Sequence, residues 1–267
     1  MTEDERDQWV SVCGHDLRVR WCVPRRDPGQ AVIVMLHQGL GSVTQWRDFP
    51  QKLGAATGCA VVAYDRWGHG RSDRLTLPRS PGFLSDEAER ALPELLDRLE
   101  LANAVLYGHS DGGSIALLFA AAFPQRTIAV ISEAAHVFSE AHSASGFAEV
   151  VAQYDKGDLR QRLARHHGEN VDAMFRGWVE AWQHPTMRDW RMTDRLPAIR
   201  CPVLAIQGEN DDHGSPGQVE AIVSGVSGPV ESWFVPGCGH APHLEAADAV
   251  LERSAAFLRR AFEISDA

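Results

Sequence analysis

Short apolar segments of strand length alternate with helical stretches along most of this chain. Strands are predicted at residues 31–36, 59–64, 104–107, 128–131, 202–207 and 230–235, and helical patterns follow most of them. Residues 31–36 form a continuous apolar, β-branched run. Continuous apolar runs of this length are typical of strands buried on both faces. The alternation therefore predicts a parallel sheet with helices packed on both sides.

Two further β-rich runs, at residues 10–12 and 17–22, surround a Gly-His-Asp turn and indicate an antiparallel hairpin at one sheet edge. We therefore expect an α/β fold with a mostly parallel, doubly wound, eight-stranded sheet. A helix is predicted over residues 85–99, with Ser85 as its N-cap.

The alternation stops between about residues 139 and 196, where a charged helical pattern is rich in tryptophan and histidine. This break indicates an inserted helical lid. The predicted core comprises residues 1–135 and 196–267, and the predicted lid comprises residues 136–195. A chain of 267 residues fits one such domain with one insertion.

The charge balance excludes some classes of protein. With 26 basic and 36 acidic residues the net charge is −10, which argues against nucleic-acid binding and against a basic membrane-surface module. No segment approaches the roughly 18 apolar residues of a membrane span. We expect no nucleic-acid or membrane partner, and the oligomeric state is left open to include a homodimer.

The five cysteines form no pair at metal-binding or redox spacing, and the N-terminus is charged, without the apolar core of a secretory signal. These features predict reduced thiols, a cytoplasmic protein and no metal site.

The segment Gly108-His109-Ser110-Asp111-Gly112 follows one predicted strand and opens a small, apolar helix. This is G-x-S-x-G in a strand–turn–helix context, the arrangement of a nucleophile elbow. The glycines fit because side chains beside so tight a turn would collide with backbone. The motif predicts Ser110 as a nucleophile; the alternative is a glycine-rich turn with an incidental serine.

A serine nucleophile needs a histidine base and a carboxylate that orients it. In chains with an elbow of this kind, the acid comes after the serine in the sequence, and the histidine comes after the acid. The loop after residues 202–207 offers Asp211, with Glu209 and Asp212 as alternatives. The loop after residues 230–235 offers His240, with His243 as the alternative. We favour Asp211 and His240.

At this point the chain resembles the α/β-hydrolase superfamily over about residues 10–262, and within it small bacterial esterase-type serine hydrolases of unassigned substrate. Residues 37–42 look like the oxyanion loop of that superfamily, and residues 64–72 look like its D-x-x-G-x-G-x-S turn. The resemblance implies that the amides of Gly39 and Asp111 form an oxyanion hole. Gln38 stands where many members have glycine, which leaves open whether its amide groups contribute. His37 is expected to anchor this loop.

The expected reaction is hydrolysis of a carboxylic ester, or a related small carbonyl compound, through an acyl-enzyme and without a cofactor. Proposed substrate contacts are Gln38, His136, Val137, Trp178 and Trp182, while about half of the lid aromatic residues are expected to form lid core. The Asp111 carboxylate is expected either to hold the ammonium group of an α-amino ester or to cap its helix.

Several functions use the same three residues. The resemblance also allows a carbon–carbon bond hydrolase of a dienoic ring-cleavage product or a lactonase. Haloalkane dehalogenase and epoxide hydrolase activities are disfavoured because their nucleophile is an aspartate. A ligand-binding protein on the same fold is the alternative outside enzymes.

Overall fold

A computed structural model describes residues 7–140 and 143–265; the parts of the predicted segments at residues 1–6, 141–142 and 266–267 lie outside the described residues. Eight strands form one sheet in the order β1-β2-β4-β3-β5-β6-β7-β8. They are β1 Asp7–Val12, β2 His15–Val23, β3 Val32–Leu36, β4 Ala60–Tyr64, β5 Ala104–His109, β6 Thr127–Glu133, β7 Val203–Gly208 and β8 Val230–Val235.

The pairing confirms the predicted α/β fold. β1 and β2 form an antiparallel hairpin, and β2 lies antiparallel to β4 at one side of the sheet. All neighbours from β4 through β8 are parallel. The carboxyl ends of the parallel strands consequently meet along one edge of the sheet, where α/β proteins bind ligands.

Helices cover both faces of the sheet. They are α1 Phe49–Thr57, α2 Phe83–Asp86, α3 Leu92–Arg98, α4 Asp111–Ala122, α5 Ser143–Lys156, α6 Leu159–His167, α7 Val171–Trp182, α8 Gly217–Gly225, α9 Pro242–Glu245 and α10 Ala247–Ser265. Within β3, Ile33 and Met35 belong to the apolar cluster that includes side chains of α1 and α10, whereas Val32, Val34 and Leu36 belong to the cluster that includes side chains of α3, α4 and α8. This alternation is the two-residue period of a strand buried on both faces.

The helix predicted over residues 85–99 begins earlier and is not uniform. α2 begins at Phe83, after Gly82, so the prediction of Ser85 as N-cap is wrong. A π-helical turn over Glu87–Ala91 then joins α2 to α3. Pro93, which has no amide hydrogen, lies in the first turn of α3, at the junction with the π-helical turn. The amide of the preceding residue, Leu92, bonds the Glu87 carbonyl within that turn.

Helices α5, α6 and α7 are inserted between β6 and β7 and have a small core of their own. Tyr154, Leu163, Met174, Phe175 and Val179 are buried together there, and the Tyr154 and Phe175 rings stack at 3.6 Å. No helix within the described ranges is long and apolar enough to cross a membrane.

Candidate active site

Ser110 lies at the turn between β5 and α4 in a strained backbone conformation, with φ +54° and ψ −119°. Residues other than glycine rarely adopt positive φ, and such strain concentrates at functional sites. A Cβ atom on Gly108 would overlap the Gly112 carbonyl, and one on Gly112 would overlap the Leu36 carbonyl. The two glycines are therefore required for a turn this tight, which presents Ser110 at the carboxyl edge of the sheet.

The structure brings Ser110, His240 and Asp211 together in a hydrogen-bonded row. The Nε2 atom of His240 lies 3.1 Å from Ser110 Oγ, and its Nδ1 atom lies 2.9 Å from Asp211 Oδ1. His240 follows β8 and Asp211 follows β7, so the row crosses the strand ends from β5 to β8. This is the contact order of a serine, a base and an orienting acid.

Asp211 is buried, with a side chain that is 1% exposed. Burial alone would raise its pKa, but the hydrogen bond and charge of His240 and the His213 main-chain amide hold the pKa below its usual value. An ionised carboxylate in this position fixes the imidazole with its Nδ1–H toward Asp211 and leaves Nε2 free to accept the proton of Ser110.

The two competing acids make different contacts. Asp212 points to solvent and pairs with the His213 ring at 2.7 Å. Glu209 accepts a hydrogen bond from the amide of Gly237 at 3.3 Å. These contacts do not involve His240. Asp211 is the carboxylate that is hydrogen-bonded to His240 Nδ1.

The loop after β3 is held in place by hydrogen bonds to the main-chain carbonyl of Gln38. The Gln38 carbonyl accepts from Arg66 Nη2 at 2.8 Å, from the Gly41 amide at 2.9 Å and from His37 Nδ1 at 2.8 Å. In a trans peptide the N–H points opposite to the C=O, so the amide of Gly39 is turned away from these donors. The loop geometry thus leaves the Gly39 amide available to an oxyanion.

The Asp111 amide is available for a different reason. The first hydrogen bond of α4 runs from Ser114 N to Ser110 O at 3.0 Å, so the Asp111 N–H precedes the helical ladder and has no partner within it. Helix N-termini favour negative charge. The two amides implied by the resemblance therefore differ in position: one lies in the loop after β3 and the other lies before the first hydrogen bond of α4.

The side chains around the loop support its shape. Gln38 Nε2 donates to Gln45 Oε1 at 2.8 Å, which ties this side chain within its own loop. His37 accepts from the Arg66 amide at 3.2 Å, and burial and the Arg66 charge keep the pKa of His37 well below its usual value. A neutral, buried His37 agrees with an anchoring role.

Trp178 and Trp182 of α7 reach the nucleophile turn. Trp178 Nε1 donates to Asp111 Oδ2 at 3.1 Å, and Trp182 Nε1 donates to Asp111 Oδ1 at 3.2 Å. Asp111 is 2% exposed, and a Cβ atom on Gly39 would overlap the Trp178 indole. The insertion is therefore bonded to the residue after Ser110, and Trp178 lies against Gly39 in the loop after β3.

Residues 33–253 match the model of the alpha/beta hydrolase family. The chain belongs to this family. It is 26% identical to a 2-hydroxy-6-oxo-6-phenylhexa-2,4-dienoate hydrolase of Comamonas testosteroni, with 97% of this chain and 99% of the relative covered. It is 33% identical to a 2-hydroxy-6-oxononadienedioate/2-hydroxy-6-oxononatrienedioate hydrolase of Burkholderia vietnamiensis, over 47% of this chain and 43% of the relative.

Solved structures share the fold at low sequence identity. The enol-lactonase of Burkholderia xenovorans is 21% identical with a TM-score of 0.73, covering 94% of this chain and all of its own. Carboxylesterase CesB of Bacillus subtilis is 20% identical with a TM-score of 0.67, covering 96% and 92%. These likenesses establish the alpha/beta-hydrolase fold and leave the bond that is cleaved open.

Two further proposed contacts of this alpha/beta hydrolase follow β6. The His136 ring lies 6.3 Å from the His240 ring and 5.9 Å from Trp182, its Nε2 bonds the His213 carbonyl at 3.0 Å, and its Nδ1 is buried without a partner. Val137 is fully buried in the main core, and its amide donates to Gln218 Oε1 at 2.8 Å. His136 thus borders the triad, whereas Val137 lies in the core.

A second histidine–carboxylate pair lies near the Ser110–His240–Asp211 row. Glu133, at the end of β6, accepts from Tyr107 Oη and from His243 Nδ1, both at 2.6 Å. His109 Nε2 donates to the His240 carbonyl at 2.7 Å, and its ring lies 4.8 Å from that of His243. The sequence offers His243 as the alternative base, but the structure pairs it with Glu133. Sequence reasoning misses Glu133, which is the last residue of β6 and the one acidic side chain in that strand.

Among the residues that the structure describes, two groups have metal-ligating atoms close together. They are His109, Glu133 and His243, and Asp211, His213 and His240, with ligand atoms within 4.8 Å in each group. In the first group Glu133 bonds His243 and Tyr107, and in the second Asp211 bonds His240. Hydrogen bonding between the members accounts for both clusters.

Proposed function

We propose that this hydrolase cleaves a carboxylic ester of a small to medium substrate through an acyl-enzyme on Ser110. The observation that supports this proposal is the position of His240, whose two ring nitrogens lie within hydrogen-bond distance of Ser110 Oγ and Asp211 Oδ1. Such an arrangement activates a hydroxyl group that is otherwise a weak nucleophile.

In the first half-reaction Ser110 Oγ attacks the ester carbonyl carbon while His240 Nε2 takes its proton. The buried Asp211 carboxylate stabilises the imidazolium that forms. The tetrahedral oxyanion binds the amides of Gly39 and Asp111, and each such donor contributes about 3 kcal/mol to the transition state. His240 then gives its proton to the departing alkoxide, leaving the acyl group on Ser110.

In the second half-reaction water replaces the alcohol. His240 Nε2 removes a proton from this water, which attacks the acyl carbon, and the same two amides bind the second oxyanion. The proton returns to Ser110 Oγ as the carboxylic acid leaves. The cycle uses only side chains and main-chain amides of this chain.

In this proposal, side chains of the insertion contribute most of the contacts with the substrate. We place the apolar part of the substrate against Trp178, Trp182 and His136, which surround Asp111 and His240. Both Asp111 carboxylate oxygens accept indole N–H groups, which favours a role in fastening the insertion over recognition of an α-amino ester. Gln38, bonded to Gln45, is assigned to shaping the loop.

Asp211 and Asp212 form a matched pair for testing this proposal. With p-nitrophenyl butyrate as substrate, Asp211→Asn should lower kcat by about 10⁴-fold, because the amide no longer holds the productive imidazole tautomer. Asp212→Asn, at an exposed neighbour, should stay within about twofold of the wild type, since exposed pairs contribute little. Equal losses in the two variants, or turnover retained by Ser110→Ala, would contradict the assignment.

Hydrolysis of a carbon–carbon bond is the second candidate, and the names of the curated relatives favour it. The same triad would attack a ketone carbonyl, but the leaving group would be a carbanion that must be protonated at carbon. Comparing kcat/KM for 2-hydroxy-6-oxo-6-phenylhexa-2,4-dienoate with that for phenyl and p-nitrophenyl esters separates the two. A preference for the dienoate by more than about tenfold would replace the ester proposal.

Lactone hydrolysis and ligand binding without catalysis are tested with the same purified protein. A lactone panel tests ring opening, which needs the same acylation step. A fluorophosphonate probe should label Ser110 covalently in the enzyme, whereas a ligand-binding protein without an activated serine would remain unlabelled. His240→Ala serves as the unlabelled reference.

A further inference from the structure

The base His240 has an aromatic neighbour that is not part of the triad. His213, in the loop after β7, stacks on His240 with the ring centres 4.2 Å apart and the ring planes inclined by 20°. Two other imidazoles near His240 are tilted by 48° instead, at 5.1 Å for His109 and 6.3 Å for His136. Within the described part of the chain, His213 is therefore the ring that lies flat against the base.

Main-chain hydrogen bonds fix the position of His213. Its amide donates to Asp211 Oδ1 at 2.9 Å, and the same oxygen lies 2.9 Å from His240 Nδ1. Its carbonyl accepts from His136 Nε2 at 3.0 Å, since a carbonyl oxygen has no proton to donate. The backbone of His213 is thus bound to the carboxylate that orients the base, and these bonds do not involve the His213 side chain.

The His213 ring also makes a polar contact. Its Nδ1 atom lies 2.7 Å from Asp212 Oδ1, and its side chain is 52% exposed. Exposed pairs of this kind contribute little to stability, so the contact with Asp212 is a weak reason for the ring to lie where it does. The stack on His240 is the contact through which this ring can affect the reaction.

His240 becomes an imidazolium each time it takes the proton of Ser110. The face of a neutral aromatic ring attracts a cation that lies over it, so the stacked ring stabilises the charge that develops on the base. The stack also restricts rotation of the His240 ring. Both triad contacts depend on that rotation, because Nδ1 must face Asp211 while Nε2 faces Ser110.

We propose that His213 is a positioning residue, which holds the His240 ring between Asp211 and Ser110 through this ring contact. The role rests on the reaction proposed above for Ser110. It assigns to the loop after β7 a second contribution to the site, besides the carboxylate of Asp211.

Two replacements of His213 separate its ring face from its polar contact. His213→Phe keeps an aromatic face over His240 but has no nitrogen to bond Asp212. His213→Asn keeps a polar group near the position of Nδ1 and has no ring. The main-chain bonds to Asp211 and His136 are the same in both variants. Because the side chain is half exposed, neither change is expected to unfold the protein, which circular dichroism melting checks.

The first measurement is the rate at which a fluorophosphonate probe labels Ser110 at pH 8, which reports activation of the serine whatever the natural substrate is. His213→Asn should slow labelling by about fivefold or more, and His213→Phe should recover most of that loss. With p-nitrophenyl butyrate, the loss in His213→Asn should lie in kcat, with KM within about twofold of the wild type. Asp212→Asn keeps the ring and should be labelled within about twofold of the wild-type rate.

NMR measures the ring contact without any reaction. The Cε1–H resonance of His240 is assigned from its loss in His240→Ala. In the wild type and in His213→Phe, the ring current of the stacked ring should shift this resonance upfield. In His213→Asn it should return downfield.

Equal labelling rates in the wild type and His213→Asn would overturn this inference alone, as would a His240 resonance that does not respond to His213→Asn. A His213→Phe variant as slow as His213→Asn would overturn it too, because the bond to Asp212 would then matter and the ring face would not. A loss confined to KM would make His213 a substrate contact instead. A wild type that does not react with the probe would refute both the function proposed above and this role.

Discussion

Replacing Glu133 by glutamine removes the one negative charge of the buried group behind His240. The Glu133 side chain is fully buried and accepts hydrogen bonds from Tyr107 Oη at 2.6 Å and from His243 Nδ1 at 2.6 Å. It also accepts from the His243 amide at 3.1 Å. Glutamine keeps the shape of the side chain but presents an amide NH₂ where one of these donors points.

The structure sets the size of the effect. Burial alone would raise the pKa of Glu133, but the attraction of His243 and the hydrogen bonds from His243 and Tyr107 lower that pKa from 4.5 to about 2. At about 1.4 kcal/mol per pH unit, this difference corresponds to about 3 kcal/mol of folding stability. Because the pKa is lower in the folded state, this contribution is fully present above pH 4.5 and is lost as the pH falls toward 2.

Urea denaturation at two pH values measures this contribution. At pH 7, Glu133→Gln should lower the free energy of unfolding by about 3 kcal/mol, and the difference from the wild type should roughly halve by pH 3. Glu231→Gln is the control, since Glu231 is a partly exposed carboxylate paired with Arg253 and Arg260 and should contribute under about 1 kcal/mol. A loss in Glu133→Gln that is the same at both pH values would refute the electrostatic explanation.

Three further substitutions test the turn and the insertion. Trp182→Phe removes a hydrogen-bond donor from the buried Asp111 carboxylate. It should lower the free energy of unfolding by about 1.5–3 kcal/mol in urea denaturation. A double-mutant cycle with Asp111→Ala should give a coupling energy of similar size. Gly112→Ala should give insoluble protein or a melting temperature lowered by at least about 10 °C, because its Cβ overlaps a main-chain carbonyl of β3. Gly39→Ala should lower kcat/KM for p-nitrophenyl butyrate by at least about tenfold, because its Cβ overlaps the Trp178 indole; unchanged kinetics would show that Trp178 moves aside freely.

The strands are predictable because their sequence period reports burial directly. The strand predicted over residues 59–64 corresponds to β4 at Ala60–Tyr64, and the same correspondence holds for residues 230–235 and β8. β4 lies inside the sheet and is buried along its whole length, whereas β8 is an edge strand in which only Val235 is buried. Helix boundaries are less predictable where local signals compete, since Ser85 resembles an N-cap although α2 begins at Phe83.

The contacts of the insertion are not predictable in the same way. Trp178 and Phe175 lie on one helix and are equally suited by residue type to line a pocket, yet Phe175 is buried in the core of the insertion whereas Trp178 bonds Asp111. The helical periodicity of α7 does not predict which face of the helix contacts the sheet.

The choice between His240 and His243 shows how the fold resolves what spacing leaves open. Glu133 ends β6 and Asp211 follows β7, so two neighbouring parallel strands each deliver a carboxylate to one of these histidines. His240 is 18% exposed and reaches Ser110, whereas His243 is 3% exposed and meets Glu133. Only an accessible imidazole can exchange a proton with a substrate and with water. The outer pair is therefore suited to proton transfer and the inner pair to holding the histidine loop in place.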